Sequence, residues 1–239
     1  MSSKLPKISY PTLNIDIPPN PKKYMFRPIL VKEEKLLLMA KNSGIESDVL
    51  STIKQVVNLC SIDPSFDVDK LPLFALEYIF LKLRAFSIGE EIKVSYKDLE
   101  DEKTNEFTIN LKEVTIRYPE AMENKIAINN KAGLVMKYPT AEVYDEKEFM
   151  DSDDNEKFYR LVVRCIDQVY DGDNVYEGRD FSEDDLLEFL EMVDVQSFEK
   201  IVKFMSNVPT LYYKLEYKNS LGSDRTIELT TLSDFFTLL

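Results

Sequence analysis

The sequence predicts an α+β fold: two small helical clusters around a short antiparallel sheet, with an extended N-terminal arm and a C-terminal β-hairpin. Three observations carry that expectation. Apolar residues recur at helical spacing within residues 28–90 and again within 146–208. Between these stretches, from Ile92, the period changes to two. Six prolines between residues 4 and 28 forbid a helix there. The predicted organisation is a basic, Pro-rich arm (1–27), a helical cluster (28–90), an antiparallel β segment (91–145), an acidic helical cluster (146–208), and a hairpin with its tail (209–239). These pieces form one unit, or two at most.

In the arm, Ile8, Tyr10, Leu13, Ile15 and Ile17 alternate between prolines, so it holds at most short edge strands such as Leu13 to Ile17. It either packs along its own domain or lies on a neighbouring subunit. Pro28 suits a first helical residue, Glu33 and Glu34 suit the positive end of the dipole, and Lys41 with Gly44 closes about three turns. Ser47 is the expected N-cap of a second helix, whose stripe Val49, Leu50, Ile53, Val56, Val57 and Cys60 buries the cysteine. Leu71 to Phe86 is apolar nearly all round, the pattern of a central helix.

Ile92-Val94-Tyr96, Phe107-Ile109-Leu111 and Val114-Ile116-Tyr118 then alternate as half-buried strands, with Ile126 to Ile128 and Leu134 to Tyr138 as shorter additions. Phe158, Leu161, Val162, Cys165, Ile166 and Val169 read as one helical stripe, ended by the turn Asp171-Gly172-Asp173-Asn174. Ser182 with Asp185 resembles a capping box before Leu186, and Phe198 to Met205 repeats the spacing until Pro209. Leu211, Tyr213, Leu215 and Tyr217 alternate up to Leu221-Gly222, and Thr226 to Thr230 returns as the second strand of a hairpin.

The absence of histidine removes Ser-His-Asp and Cys-His nucleophile systems and His-containing zinc sites, and two cysteines cannot supply four thiolates. Cys60 and Cys165, both on apolar stripes, read as reduced and buried. With 30 basic against 43 acidic residues, the net charge of -13 repels a phosphate backbone, so nucleic acid is not an expected partner. Residues 1–35 nevertheless carry seven Lys or Arg against three acids, so a basic arm precedes an acidic body. No apolar run approaches the roughly 20 residues of a bilayer span, and the N-terminus lacks a signal-peptide layout, so an intracellular product without membrane contact is expected.

Asp151, Asp153 and Asn155 match the first ligand spacings of a calcium loop, yet Glu156 stands where glycine is needed and Val162 where the bidentate Glu belongs. A helix N-terminus explains the same acids. Carboxylates alone can hydrolyse glycosides, but no pair among 43 is singled out, and no Gly-rich phosphate loop occurs. No catalytic, cofactor or metal residue is therefore nominated. The nominated partner-binding residues are Tyr10, Leu13, Ile15, Ile17, Lys22 and Lys23 of the arm, with Tyr212, Tyr217, Phe235 and Phe236 of the hairpin region.

Four segments together resemble a known family: Arg27-Pro28-Ile29-Leu30-Val31-Lys32-Glu33-Glu34-Lys35, Leu76-Glu77-Tyr78-Ile79-Phe80-Leu81, Tyr170-Asp171-Gly172-Asp173, and Leu232-Ser233-Asp234-Phe235-Phe236. Their order is similar to that of the baseplate hub and hub-assembly proteins of T-even-type contractile-tailed bacteriophages, from about residue 26 to the end. The resemblance implies a late, non-enzymatic viral protein that joins other tail and hub proteins, with homo-oligomers allowed. It implies a place in the host cytoplasm during assembly, and in the virion tail baseplate if the protein is retained. Two rivals stand beside it: a tail-assembly chaperone absent from the virion, and a carboxylate-based wall-degrading enzyme. Many relatives have a Cys-x-x-Cys-Gly turn in the C-terminal hairpin, whereas this chain has Asn219-Ser220-Leu221-Gly222. Zinc is therefore not carried over, and the hairpin is expected to hold by turn geometry and aromatic packing alone.

Overall fold

The computed structural model describes residues 8–17, 20–120, 123–142 and 153–235. The chain divides into two units, one built from Met1–Val68, Ala75–Ile116 and Leu211–Leu239, the other from Asp69–Phe74 and Arg117–Thr210. Helices and small antiparallel hairpins alternate along the chain, and the α+β class stands.

In the first unit, β1 (Leu13–Ile17) pairs antiparallel with β2 (Asn20–Phe26), so the arm is a hairpin rather than a single edge strand. Ile15, Ile17 and Phe26 are buried, and Phe26 meets Phe66 edge to face at 5.2 Å. The chain then runs into α1 (Val31–Ser43), α2 (Glu46–Cys60) and the body of α3 (Leu73–Ser87). Pro28 lies ahead of α1, not within it. Leu30 is the N-cap, and its orphan N–H donates to the Glu33 carboxylate at 2.9 Å. Gly44 closes the helix in the left-handed region (φ 68°), donating to the Lys41 carbonyl as the Lys41-Gly44 signal predicts. Ser47 does not cap α2, because the tight Gly44 turn returns the chain to helical geometry at Glu46 with Ile45 as N-cap.

Glu33 is fully buried, and the Arg27 guanidinium joins it at 2.9 Å. Arg27 also donates to the Pro28 and Leu59 carbonyls and contacts the Cys60 sulfur, while its N–H donates to the Cys60 carbonyl. One side chain thus ties the end of β2, the start of α1 and the end of α2. Burial pushes the Glu33 carboxyl up, but Arg27, the Leu30 N–H and Lys32 together outweigh it and hold the carboxyl below its ordinary range.

β3 (Glu91–Lys97) pairs with β4 (Thr104–Asn110), β5 (Thr115–Arg117) joins β10 (Thr210–Lys218), and β10 pairs with β11 (Asp224–Leu229). The expected single middle sheet is therefore split, since alternation specifies a buried face and not which strand lies alongside. Lys82 of α3 donates to the Leu111, Lys112 and Val114 carbonyls, satisfying a turn that no strand pairs.

The C-terminal hairpin holds by more than turn geometry and aromatic packing. The Asn219 carboxamide oxygen accepts from the Leu221 and Ser223 N–H groups, and Asp98 in the β3–β4 turn reaches the hairpin. Asp98 accepts from Tyr217 at 2.6 Å and from two Arg225 nitrogens at 3.1 and 3.2 Å, which hold its carboxyl far below the ordinary range. Beyond β11 a 3₁₀ turn (Leu232–Phe235) buries Leu232 and Phe235, and its Asp234 carbonyl accepts from Tyr96.

The second unit carries a four-stranded sheet ordered β6 (Lys125–Ala127), β7 (Ala132–Met136), β8 (Ile166–Asp171), β9 (Asn174–Glu177), with α4 (Asp154–Arg164), α5 (Glu183–Glu191) and α6 (Val195–Met205). Here the sequence reading needs correction. The helix ends at Arg164, and Ile166 to Asp171 is strand β8, paired with β7 and β9. Ile166 and Val169 suit either period, and the Asp171-Gly172-Asp173-Asn174 turn closes a β-hairpin instead of a helix, with Gly172 at φ 60°. Gly133 of β7 lies so close to the Tyr170 hydroxyl and the Ile126 carbonyl that no Cβ fits. Leu134, Met136, Val162, Val163, Ile166 and Ile201 centre the core. Both cysteines are free and buried, and burial pushes their thiols up to about 11 for Cys60 and about 12 for Cys165.

Replacing Glu33 by Ala leaves a desolvated arginine and costs about 3–5 kcal/mol, read as a lower urea midpoint. A loss below about 1 kcal/mol, the scale of a surface pair, would show that the Arg27 tie is dispensable. A second expectation concerns pH. Burial in apolar surroundings, aided by nearby Asp234, pushes the Glu77 carboxyl up to about 7. A raised folded value means that the folded state holds the proton more tightly, so this group stabilises fully below its ordinary value near 4.5 and loses that effect as pH rises through 7. Glu77→Gln should therefore come nearest the wild type at pH 4 and melt higher at pH 8. Equal melting of the two at pH 8 would contradict this.

Candidate docking groove

Three capped helices of the second unit set the geometry. The Asp153 carboxylate accepts the Glu156 N–H at 3.0 Å and starts α4, the reading favoured over a calcium loop; Asp151 lies outside the described residues. Ser182 and Asp185 form the expected capping box of α5, and Asp194 caps α6 by accepting the Ser197 N–H at 3.0 Å. These hydrogen bonds hold the Asp185 and Asp194 carboxyls below their ordinary range.

Glu183, at the first position of α5, receives Arg160 at 2.8 Å and Arg164 at 2.7 Å, both from α4. Arg160 also bonds Glu156 one turn back. With α4 clamped to α5, the helices leave an open groove of about 480 Å³. Its apolar wall includes Tyr159, Leu187, Val193, Val195 and Phe198; Tyr159 and Phe198 stack at 5.6 Å with planes 18° apart. Glu156, Arg160 and Glu191 stand on its rim, and because Arg160 is engaged by two carboxylates, the rim is net negative. Val195 is 74% exposed and Met192, between α5 and α6, 73% exposed. Such a surface accepts apolar side chains on a basic, amphipathic segment. A smaller pocket of about 320 Å³ in this unit mixes Lys137, Arg164 and Arg179 with Glu142 and Glu183.

The first unit has an apolar surface of its own. Val31 and Leu38 stand two turns apart on one face of α1 with exposed Lys35 between them, and Met39 beside them is 70% exposed. The structure distributes the nominated partner residues unevenly. Tyr10, Lys22 and Lys23 are exposed, Leu13 is half-buried, and Ile15, Ile17 and Phe235 are buried in their own unit. Tyr212 and Tyr217 are half-buried on β10, with hydroxyls on Glu228 and Asp98. Phe236 lies outside the described residues. The groove escaped the sequence reading as a site, although Tyr159 and Val195 carry a signal: each is apolar yet falls off its helix's buried stripe.

Among the described residues, no group of three or more His, Cys, Asp or Glu is placed to hold a metal ion, and no helix is long and apolar enough to cross a membrane. The sequence model of the family described as T4 bacteriophage base plate protein matches residues 10–237. The chain belongs to that family. No curated protein and no solved structure matches it. As a phage base plate protein, it works among other base plate proteins in the virion tail.

Proposed function

We propose that this base plate protein is a non-enzymatic component or assembly factor of the central hub, acting through protein–protein contacts. The observation that carries the reading is the α4–α6 groove: apolar walls, a stacked aromatic pair and a carboxylate rim, on a scaffold fixed by caps and ion pairs. Assignment to the hub rests on the four segments that resemble hub proteins. Those segments lie mainly in structural positions: Arg27 and Glu33 in the first ion pair, Leu76 and Phe80 in the core, Gly172 in the β8–β9 turn, Phe235 under the C-terminal turn. They support a common scaffold, and the groove supplies the contact surface. Assembly is placed in the host cytoplasm, where the partners are made.

Quantitative mass spectrometry of intact tails and of isolated hub intermediates tests this reading. The chain is expected on hub intermediates; its presence in intact tails makes it a component, and its loss from them makes it an assembly factor. Absence from both would overturn the proposal, as would release of peptidoglycan fragments by the purified chain.

A further inference from the structure

We infer that the exposed stripe of α1 in one copy docks into the α4–α6 groove of a second copy, a head-to-tail contact between identical chains. The inference deepens the docking reading of the groove by naming an occupant. Val31 and Leu38 stand about 10 Å apart along α1, the seven-residue spacing with which an amphipathic helix anchors in an apolar groove. Met39 widens the stripe, and a thioether adapts to an aromatic wall such as the Tyr159–Phe198 stack. Charge agrees with this pairing. On the stripe, Lys35 and Lys41 outnumber the exposed Glu34, whereas Glu156 and Glu191 outnumber Arg160 at the groove, in a helical cluster of net negative charge. Among the described residues both surfaces remain exposed, and their shapes complement each other as ridge and groove.

Because the two surfaces differ, the contact is heterologous, and the first two copies to join keep one free stripe and one free groove between them. Assembly then proceeds to a closed ring or a filament.

Sedimentation velocity of the full chain, over a broad concentration range and at low and high salt, provides the test. The wild type should form species larger than a monomer that dissociate on dilution and with added salt. Leu38→Glu on the stripe and Val195→Glu in the groove change exposed positions, and circular dichroism checks that each variant folds. Each alone should associate about tenfold or more weakly than the wild type. Mixed in equal amounts, they should recover a dimer and nothing larger, since the pair keeps one intact stripe and one intact groove. A wild type that stays monomeric, variants that associate like it, or a mixture no larger than its parts would each overturn the inference. Binding of hub proteins by a strictly monomeric chain would do so while leaving the docking reading of the groove in place.

Discussion

A carboxylate taken out of water without a cation costs a large share of a domain's margin of stability, and that constraint shapes this acidic chain. Glu33 and Asp98 both have fully buried side chains, and both are met by arginine. Arg27 fixes where the arm hairpin ends and two helices meet; Arg225 fixes where two hairpin turns meet. For Arg27 the planar fork serves geometry as much as energy, since it offers several donors at set angles to acceptors on different elements, whereas Arg225 sets two of its donors on Asp98. The same device recurs half-exposed in the second unit, where Glu183 takes two arginines from α4.

This arrangement separates scaffold from surface. Arg27, Glu33, Asp98 and Arg225 engage one another and nearby carbonyls or hydroxyls, so their charges serve internal order. Among the apolar residues left exposed are Val31, Leu38 and Met39 on α1, and Met192 and Val195 beside the groove. Both surfaces suit contact between proteins.

Periodicity made most of the fold legible. The α1 terminus at Gly44, the α5 capping box and the β10–β11 hairpin follow signals in which local backbone chemistry decides. The reading failed where tertiary pairing decides. Ile166 to Tyr170 fits a helical stripe and a strand equally, and the edge of β7 selects the strand. Partition of the middle strands among three sheets was hidden for the same reason. The arm was legible as extended but not as a hairpin, because the seat of Phe26 depends on Ser61 and Phe66 about 35 to 40 residues away. The candidate groove was least legible: Leu187, Val193 and Phe198 also pack against the core and read as stripe, while Tyr159 and Val195 fall off it, a signal that periodic matching discards.

The central claim is that the exposed apolar surfaces of α1 and of the α4–α6 groove are the ones that assembly covers. Oxidative footprinting of methionines, comparing the free chain with the chain bound in purified hub complexes, tests this most directly. Met39 and Met192 report on the two surfaces, and Met25, 40% exposed on β2 of the arm, serves as the reference. The account predicts that Met39 and Met192 lose reactivity in the complex while Met25 keeps it; protection of Met25 with Met39 and Met192 unchanged would place the contact on the arm and contradict the account.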